Sequence, residues 1–113
     1  MLCSNVSNQS DITLYKGDRL DVEFTVNWET GSPVDLSNYD ARFTVPGASI
    51  VKDSEHAGQI TILSPANLGK MRVAILPADT ASLTINYEYS YDAEIYDDSG
   101  NVYTFAQGIF VVV

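Results

Sequence analysis

Between Asp18 and Glu29 the apolar residues Leu20, Val22, Phe24, Val26 and Trp28 fall on every second position. Arg19, Asp21, Glu23, Thr25 and Asn27 fill the gaps. Side chains alternate faces along a strand, so this segment has one oily face and one wet face. A long antiparallel strand packed on one side gives that pattern. The reading predicts that Leu20, Val22, Phe24, Val26 and Trp28 line a core.

The same period recurs. Tyr39, Ala41, Phe43 and Val45 share one face, and so do Tyr87, Tyr89, Tyr91, Ala93 and Ile95. Further strands are expected at Ile12 to Tyr15, Gln59 to Leu63, Lys70 to Leu76 and Val102 to Val113. Gly108 suggests a bulge in the last. Ala48 to Ala57 is mixed and reads as a loop or weak edge strand. Turn residues separate the strands, and Asp97-Asp98-Ser99-Gly100-Asn101 is the strongest hairpin signal. Pro77 to Leu83 can form one helical turn, near 78–83, capped by Asp79 or Thr80. About seven strands with no βαβ unit predict an all-β fold, an antiparallel two-sheet Ig-like β-sandwich. The 113 residues suit one such domain at 11–113, led by a flexible arm at 1–10 rich in Ser, Asn and Gln.

Fifteen acids against six bases give a formal charge of −9. Nucleic acid is an unfavourable partner, because its binding rests on Lys and Arg neutralising phosphates. Anionic membrane surfaces are disfavoured for the same reason. The bland reading of the acid is solubility. Cys3 is the one cysteine, which excludes an intrachain disulfide and argues against a Cys-based zinc site. Met1 to Ser10 has no basic leader and no apolar run, so a product made in the cytoplasm without a signal peptide is expected. The acceptor patterns at Asn5-Val6-Ser7 and Asn8-Gln9-Ser10 are then chance.

Little here reads as catalysis. His56 is the one histidine, in Ser54-Glu55-His56-Ala57-Gly58. Three adjacent loop residues rarely make a triad, which is defined by geometry. No phosphate loop or zinc-protease motif occurs. Asp97 and Asp98 lack the spacing of a calcium loop, so the favoured reading is a turn beside solvated sheet faces. No enzyme activity, cofactor or metal site is expected.

The C-terminus is unusual. Ile109-Phe110-Val111-Val112-Val113 is apolar throughout. Such a strand is covered on both faces or meets another subunit. The candidate partner contacts are therefore Val111, Val112 and Val113, with Ser4, Asn5 and Val6 of the arm, which can add to a neighbour's sheet edge.

The order of these marks resembles the N-terminal domain family of the baseplate upper protein of tailed bacteriophages. It is carried by Asp11, Gly17-Asp18, Pro33-Val34-Asp35-Leu36, Tyr39 and Ala41-Arg42-Phe43. It continues through Gly58, Ile60, Ile62, Leu76-Pro77, Thr80 and Leu83. It ends with Tyr87, Tyr89, Tyr91-Asp92, Gly100, Val102, Thr104, Gly108, Phe110 and Val112. The resemblance implies a β-sandwich without enzymatic activity that holds virion parts together. In that family the domain leads a longer protein, whereas this sequence stops at Val113, which favours a stand-alone adaptor, plug or decoration subunit. The expected function is thus a virion structural protein of the tail, baseplate or fibre attachment, with other virion proteins or copies of itself as partners. The alternatives are a capsid decoration or head-fibre protein, and a carbohydrate-binding module for host attachment. The last predicts exposed aromatics on one sheet face or loop end.

Overall fold

The computed structural model describes residues 11–28 and 30–113. Its strands are β1 (Ile12–Leu14), β2 (Leu20–Thr25), β3 (Asp40–Val45), β4 (Ile50–Asp53), β5 (Ile60–Ile62), β6 (Lys70–Ile75), β7 (Tyr89–Tyr96) and β8 (Val102–Val112). They form a five-stranded sheet, β1-β8-β7-β3-β4, and a three-stranded sheet, β2-β6-β5. Here β2, β6 and β5 stand where strands B, E and D stand in an immunoglobulin domain. Strands β8, β7, β3 and β4 stand where G, F, C and C′ stand. The fold is therefore the expected Ig-like β-sandwich. Among the described residues it has eight strands rather than about seven, because the mixed segment around Ile50 does form an edge strand. One pairing departs from the antiparallel expectation: β1 runs parallel to β8, with Ile12 opposite Phe110 and Leu14 opposite Val112.

Immunoglobulin domains join their sheets with a disulfide between strands B and F, packed on a Trp of strand C. Here aromatic rings fill that space. The ring centroid of Phe43 on β3 lies 6.2 Å from that of Phe24 on β2 and 5.3 Å from that of Tyr91 on β7. Phe105 meets Phe24 edge-on at 5.8 Å. All four are buried. Such ring pairs add about 0.5–1.5 kcal/mol each beyond the area they bury.

The predicted core face of β2 needs one correction. Phe24 and Val26 are buried, but Leu20, Val22 and Trp28 are half-buried and pack against the rim of the core. The reason is position. β2 is an edge strand of its three-stranded sheet, and β1, in the other sheet, meets it across an open hollow that Ile12, Thr13, Leu20 and Val22 help to line.

The bulge is also displaced. The β7–β8 register shifts between Ala93, paired with Ala106, and Glu94, paired with Thr104. Phe105 is the extra residue, whereas Gly108 pairs regularly with Tyr91. The bulge resets the alternation, so the consecutive Phe105 and Ala106 are both buried.

The helical turn expected near 78–83 is α1 (Pro77–Thr80), which starts earlier and has Leu76 rather than Asp79 or Thr80 at its N-cap. Asp79 caps it from its third position, its carboxylate accepting from the Leu76 N–H at 2.7 Å. Thr80 is buried, and its hydroxyl accepts from the Gly17 N–H at 2.9 Å. Just downstream, the Tyr89 hydroxyl accepts from the Thr84 N–H at 3.1 Å, the bond of a tyrosine corner at the start of strand F.

Strand direction then places three loops together. β3 starts, β4 finishes and the β7–β8 hairpin turns at the same end, as the pairs Arg42–Asp53 and Asp40–Tyr96 show. The loops are residues 27–39, 54–59 and 97–101.

Candidate interaction surface

At this loop end the chain is tied together by its own polar groups. Asp97 accepts from the backbone N–H groups of Ser99 and Asn101 through Oδ1, both at 3.0 Å, and from the Asn101 amide through Oδ2 at 3.0 Å. The Asn101 bonds and that of Ser99 outweigh burial and hold the Asp97 carboxyl below the usual range. Both oxygens are thus occupied in shaping the hairpin, with Gly100 at φ +87° completing it. Among the described residues no group of three or more His, Cys, Asp or Glu side chains could hold a metal ion. Across from the hairpin, the Asp35 carboxylate accepts from the Ser37 N–H at 3.0 Å and fixes the turn Leu36–Asn38.

Between these two turns lies an open hollow of about 500 Å³. Ser37, Asn38, Tyr39, Asp40, Asp97 and Asp98 line it. Tyr39 meets Tyr103 edge-on at 6.4 Å on its flank. Burial, Tyr103 and Asp97 raise the Tyr39 pKa, so its hydroxyl stays protonated. Tyr103 is 37% exposed.

The third loop is anchored by an ionic row across the outer face of the five-stranded sheet. Glu94, Arg42 and Asp53 stand in register on β7, β3 and β4. The Arg42 guanidinium meets Asp53 Oδ2 at 3.3 Å and Glu94 Oε1 at 3.1 Å, and its Cζ lies 4.6 Å from the centre of the Tyr96 ring. The Tyr96 hydroxyl donates to Asp53 at 2.7 Å and to Glu55 at 3.2 Å. Burial opposes the Asp53 charge. The Glu55 N–H, the Tyr96 hydroxyl and Arg42 together outweigh it and lower the carboxyl pKa. Burial and the same carboxylates raise the Tyr96 pKa far above that of a free phenol. The cluster is a clamp between strands, in which Arg42 supplies the one positive charge against the carboxylates of Asp53, Glu55 and Glu94.

The candidate residues read from sequence land differently. Ser4, Asn5 and Val6 lie outside the described residues. Val112 is fully buried in the domain's own core, so it cannot meet a partner. The apolar run belongs to a strand flanked by β7 and β1, with Phe110 also buried. Val111 is half-buried on the outer face, and Val113 is 38% exposed beyond the strand end. His56 is exposed on the turn after β4, its backbone N–H donating to the Asp53 carbonyl. The hollow and the ionic row were not singled out from sequence. Their members are far apart in the chain, and only the Asp97 hairpin carried a signal.

No protein-family model matches the chain, and no curated protein sequence matches it. Among solved structures it is similar to extracellular domains 3-5 of Drosophila OTK, with a TM-score of 0.43 at 14% identity. The likeness covers 94% of this chain and 33% of that one, so this chain spans about a third of its length.

Proposed function

We propose that this domain works by binding other proteins, as a non-enzymatic assembly or adaptor module of a tailed-phage virion at the tail, baseplate or fibre attachment. The observation that carries the reading is the loop end. Three loops converge there, and two of them, at Ser37–Asp40 and Asp97–Ser99, frame an open hollow, in the place where variable domains carry their recognition loops. The lining is Ser, Asn, Tyr and Asp. Tyrosine supplies rigid contact area and Ser and Asn supply adaptable hydrogen bonds, as in paratopes. The Asp97 and Asp35 turns hold that surface in shape before any partner arrives, which lowers the ordering cost of binding. The resemblance described above supports the virion setting. A place on the capsid, as a decoration or head-fibre protein, is the alternative within the same class.

The test is composition and variant incorporation. Particles of the encoding phage contain the chain, and the virion protein that cross-links to it identifies tail or capsid. Tyr103→Ala and Asp98→Lys lower incorporation, while Glu23→Gln on the opposite sheet does not. Purified particles lacking the chain would end the proposal. A second reading is carbohydrate binding, favoured by the exposed Tyr103 beside the hollow. It expects Tyr103 ring resonances to shift on titration with host-surface glycan and no dependence on a virion protein.

A further inference from the structure

β8 extends from Val102 to Val112, yet β1 pairs with it only at Phe110–Val112. The Ile109 N–H points to the same flank, where the Asp11 carboxylate takes it at 3.1 Å. Val113 pairs there too, donating to the Leu14 carbonyl and accepting from the Lys16 N–H. Main-chain groups alternate sides along a strand, so Gln107 presents its N–H and C=O on that flank as well. Past the bulge at Phe105 the same side falls to Thr104 and Val102. Among the described residues, none of these three has a main-chain partner on that flank. All three are exposed. Among the described residues, more than half of β8 is therefore a sheet edge, flanked by a strand only at its lower end.

The surroundings define what fits. β7 and β8 carry no Lys or Arg. Asp92 stands opposite Gln107, and Glu94 stands opposite Thr104. Asp11 closes the lower end of the edge and the Asp97-Asp98 turn its upper end. Glu94 is matched by Arg42, but Asp92 has no ion pair among the described residues. At the lower end a hollow of about 240 Å³, lined by Asp11, Ser90, Gln107, Gly108 and Ile109 among others, has room for a side chain.

We propose that the edge at Val102–Gly108 is a strand-addition site for an extended segment of a partner protein whose apolar residues alternate with Lys or Arg. The inference rests on the protein-binding reading and names the partner's chemistry. The added strand lies directly beyond β1 and continues its line. Main-chain bonds to Val102, Thr104 and Gln107 supply the hold, and the basic side chains meet the acids of the outer face.

The probe is a nine-residue peptide alternating Val and Lys, added to the full chain. Amide exchange is followed by NMR. The Thr104 and Gln107 amides slow by at least about tenfold at saturation, as a newly bonded edge requires. The exposed edge residue Val51 on β4 is unaffected. A peptide of equal charge with Pro at its centre gives no such protection, because it cannot continue a ladder. Gln107→Pro removes one donor at an edge position and weakens binding at least about fivefold. Should that variant fail to fold, the exchange comparison decides alone. The proposal is overturned if Thr104 and Gln107 are not protected, or if the Pro peptide protects them equally, which would reduce the effect to charge. It is also overturned if both amides are already protected in the free chain and exchange freely once residues 1–10 are deleted, since the edge would then be occupied by the chain itself. Asn38→Ala, which lines the hollow and lies off β8, reads the loop end independently in the particle-incorporation assay, so the two proposals fail separately.

Discussion

Removing the Asp79 carboxylate should harm this fold more than removing the Lys52 charge. Lys52 sits on β4 opposite Phe43, so its side chain points inward, and its Nζ lies 2.7 Å from Asp79 Oδ2 on α1. The Lys52 side chain is 8% exposed and that of Asp79 is 22% exposed. Asp79→Ala leaves an ammonium stranded in the interior and also strips the Leu76 N–H of its acceptor. Breaking a buried pair from one side costs about 3–5 kcal/mol, and a lost helix cap adds about 1 kcal/mol. Lys52→Met keeps most of the packed stem, and the carboxylate it abandons still reaches water and the Leu76 N–H. We expect about 4–6 kcal/mol for Asp79→Ala and about 1–2 kcal/mol for Lys52→Met. The double variant should be less damaged than the sum, by about 1–3 kcal/mol of coupling. Urea unfolding monitored by Trp28 fluorescence, extrapolated linearly, measures all three. If Lys52→Met proves as costly as Asp79→Ala, or if the two effects simply add, the pair is not a buried one and the reasoning fails.

Acid should loosen the loop end and the strand clamp together. The Asp53 and Asp97 carboxyls are held below their ordinary values in the folded state. A depressed folded pKa contributes stability above the unfolded value, about 3.9, and loses it as pH falls through the folded one. Urea midpoints should therefore be flat above about pH 5 and drop below about pH 4, with a shallower drop in Asp53→Asn and Asp97→Asn; an unchanged acid limb in both variants would contradict this. Tyr89→Phe should cost about 1 kcal/mol through the lost Thr84 bond, and it should speed exchange of the Thr84 amide while leaving the Phe43 neighbourhood unchanged. Gly69→Ala should cost about 3 kcal/mol or more. Gly69 has φ +69°, and an added Cβ would come 2.5 Å from the Val26 carbonyl oxygen. A wild-type melting curve for that variant would refute the close approach.

Strands whose alternation is uninterrupted were legible. β3 and β7 put Ala41, Phe43, Tyr91 and Ile95 inside as the period requires, because sheet burial follows it directly. Partner choice was not. Nothing in Ile12–Leu14 says that it runs parallel to β8 rather than antiparallel to β2, since a strand's own pattern does not encode its neighbour. The bulge escaped because Phe105 and Ala106 are both apolar, so a reset of phase between them leaves no mark in composition. Lys52 escaped for a related reason. A charged residue reads as outward, yet its phase with Ile50 placed it inside, and only the distant Asp79 makes that tolerable. The core assignment of Val112 was within reach, because it continues the phase of Phe110. The hollow at the loop end depends on two distant turns meeting in space, which no local stretch specifies.

The parallel pairing of β1 with β8 bears on how the domain carries tension. β1 is entered at Asp11, and β8 is left at Val113 running in the same direction. Pulling outward on those two points drives the strands past each other along their length. The Val113–Leu14, Lys16–Val113 and Ile109–Asp11 bonds then strain at once rather than opening in turn like a zipper. Forced unfolding is governed by the rate of the first rupture. A patch only three residue pairs long therefore acts as a shear clamp, protecting both sheets until it gives way as a unit.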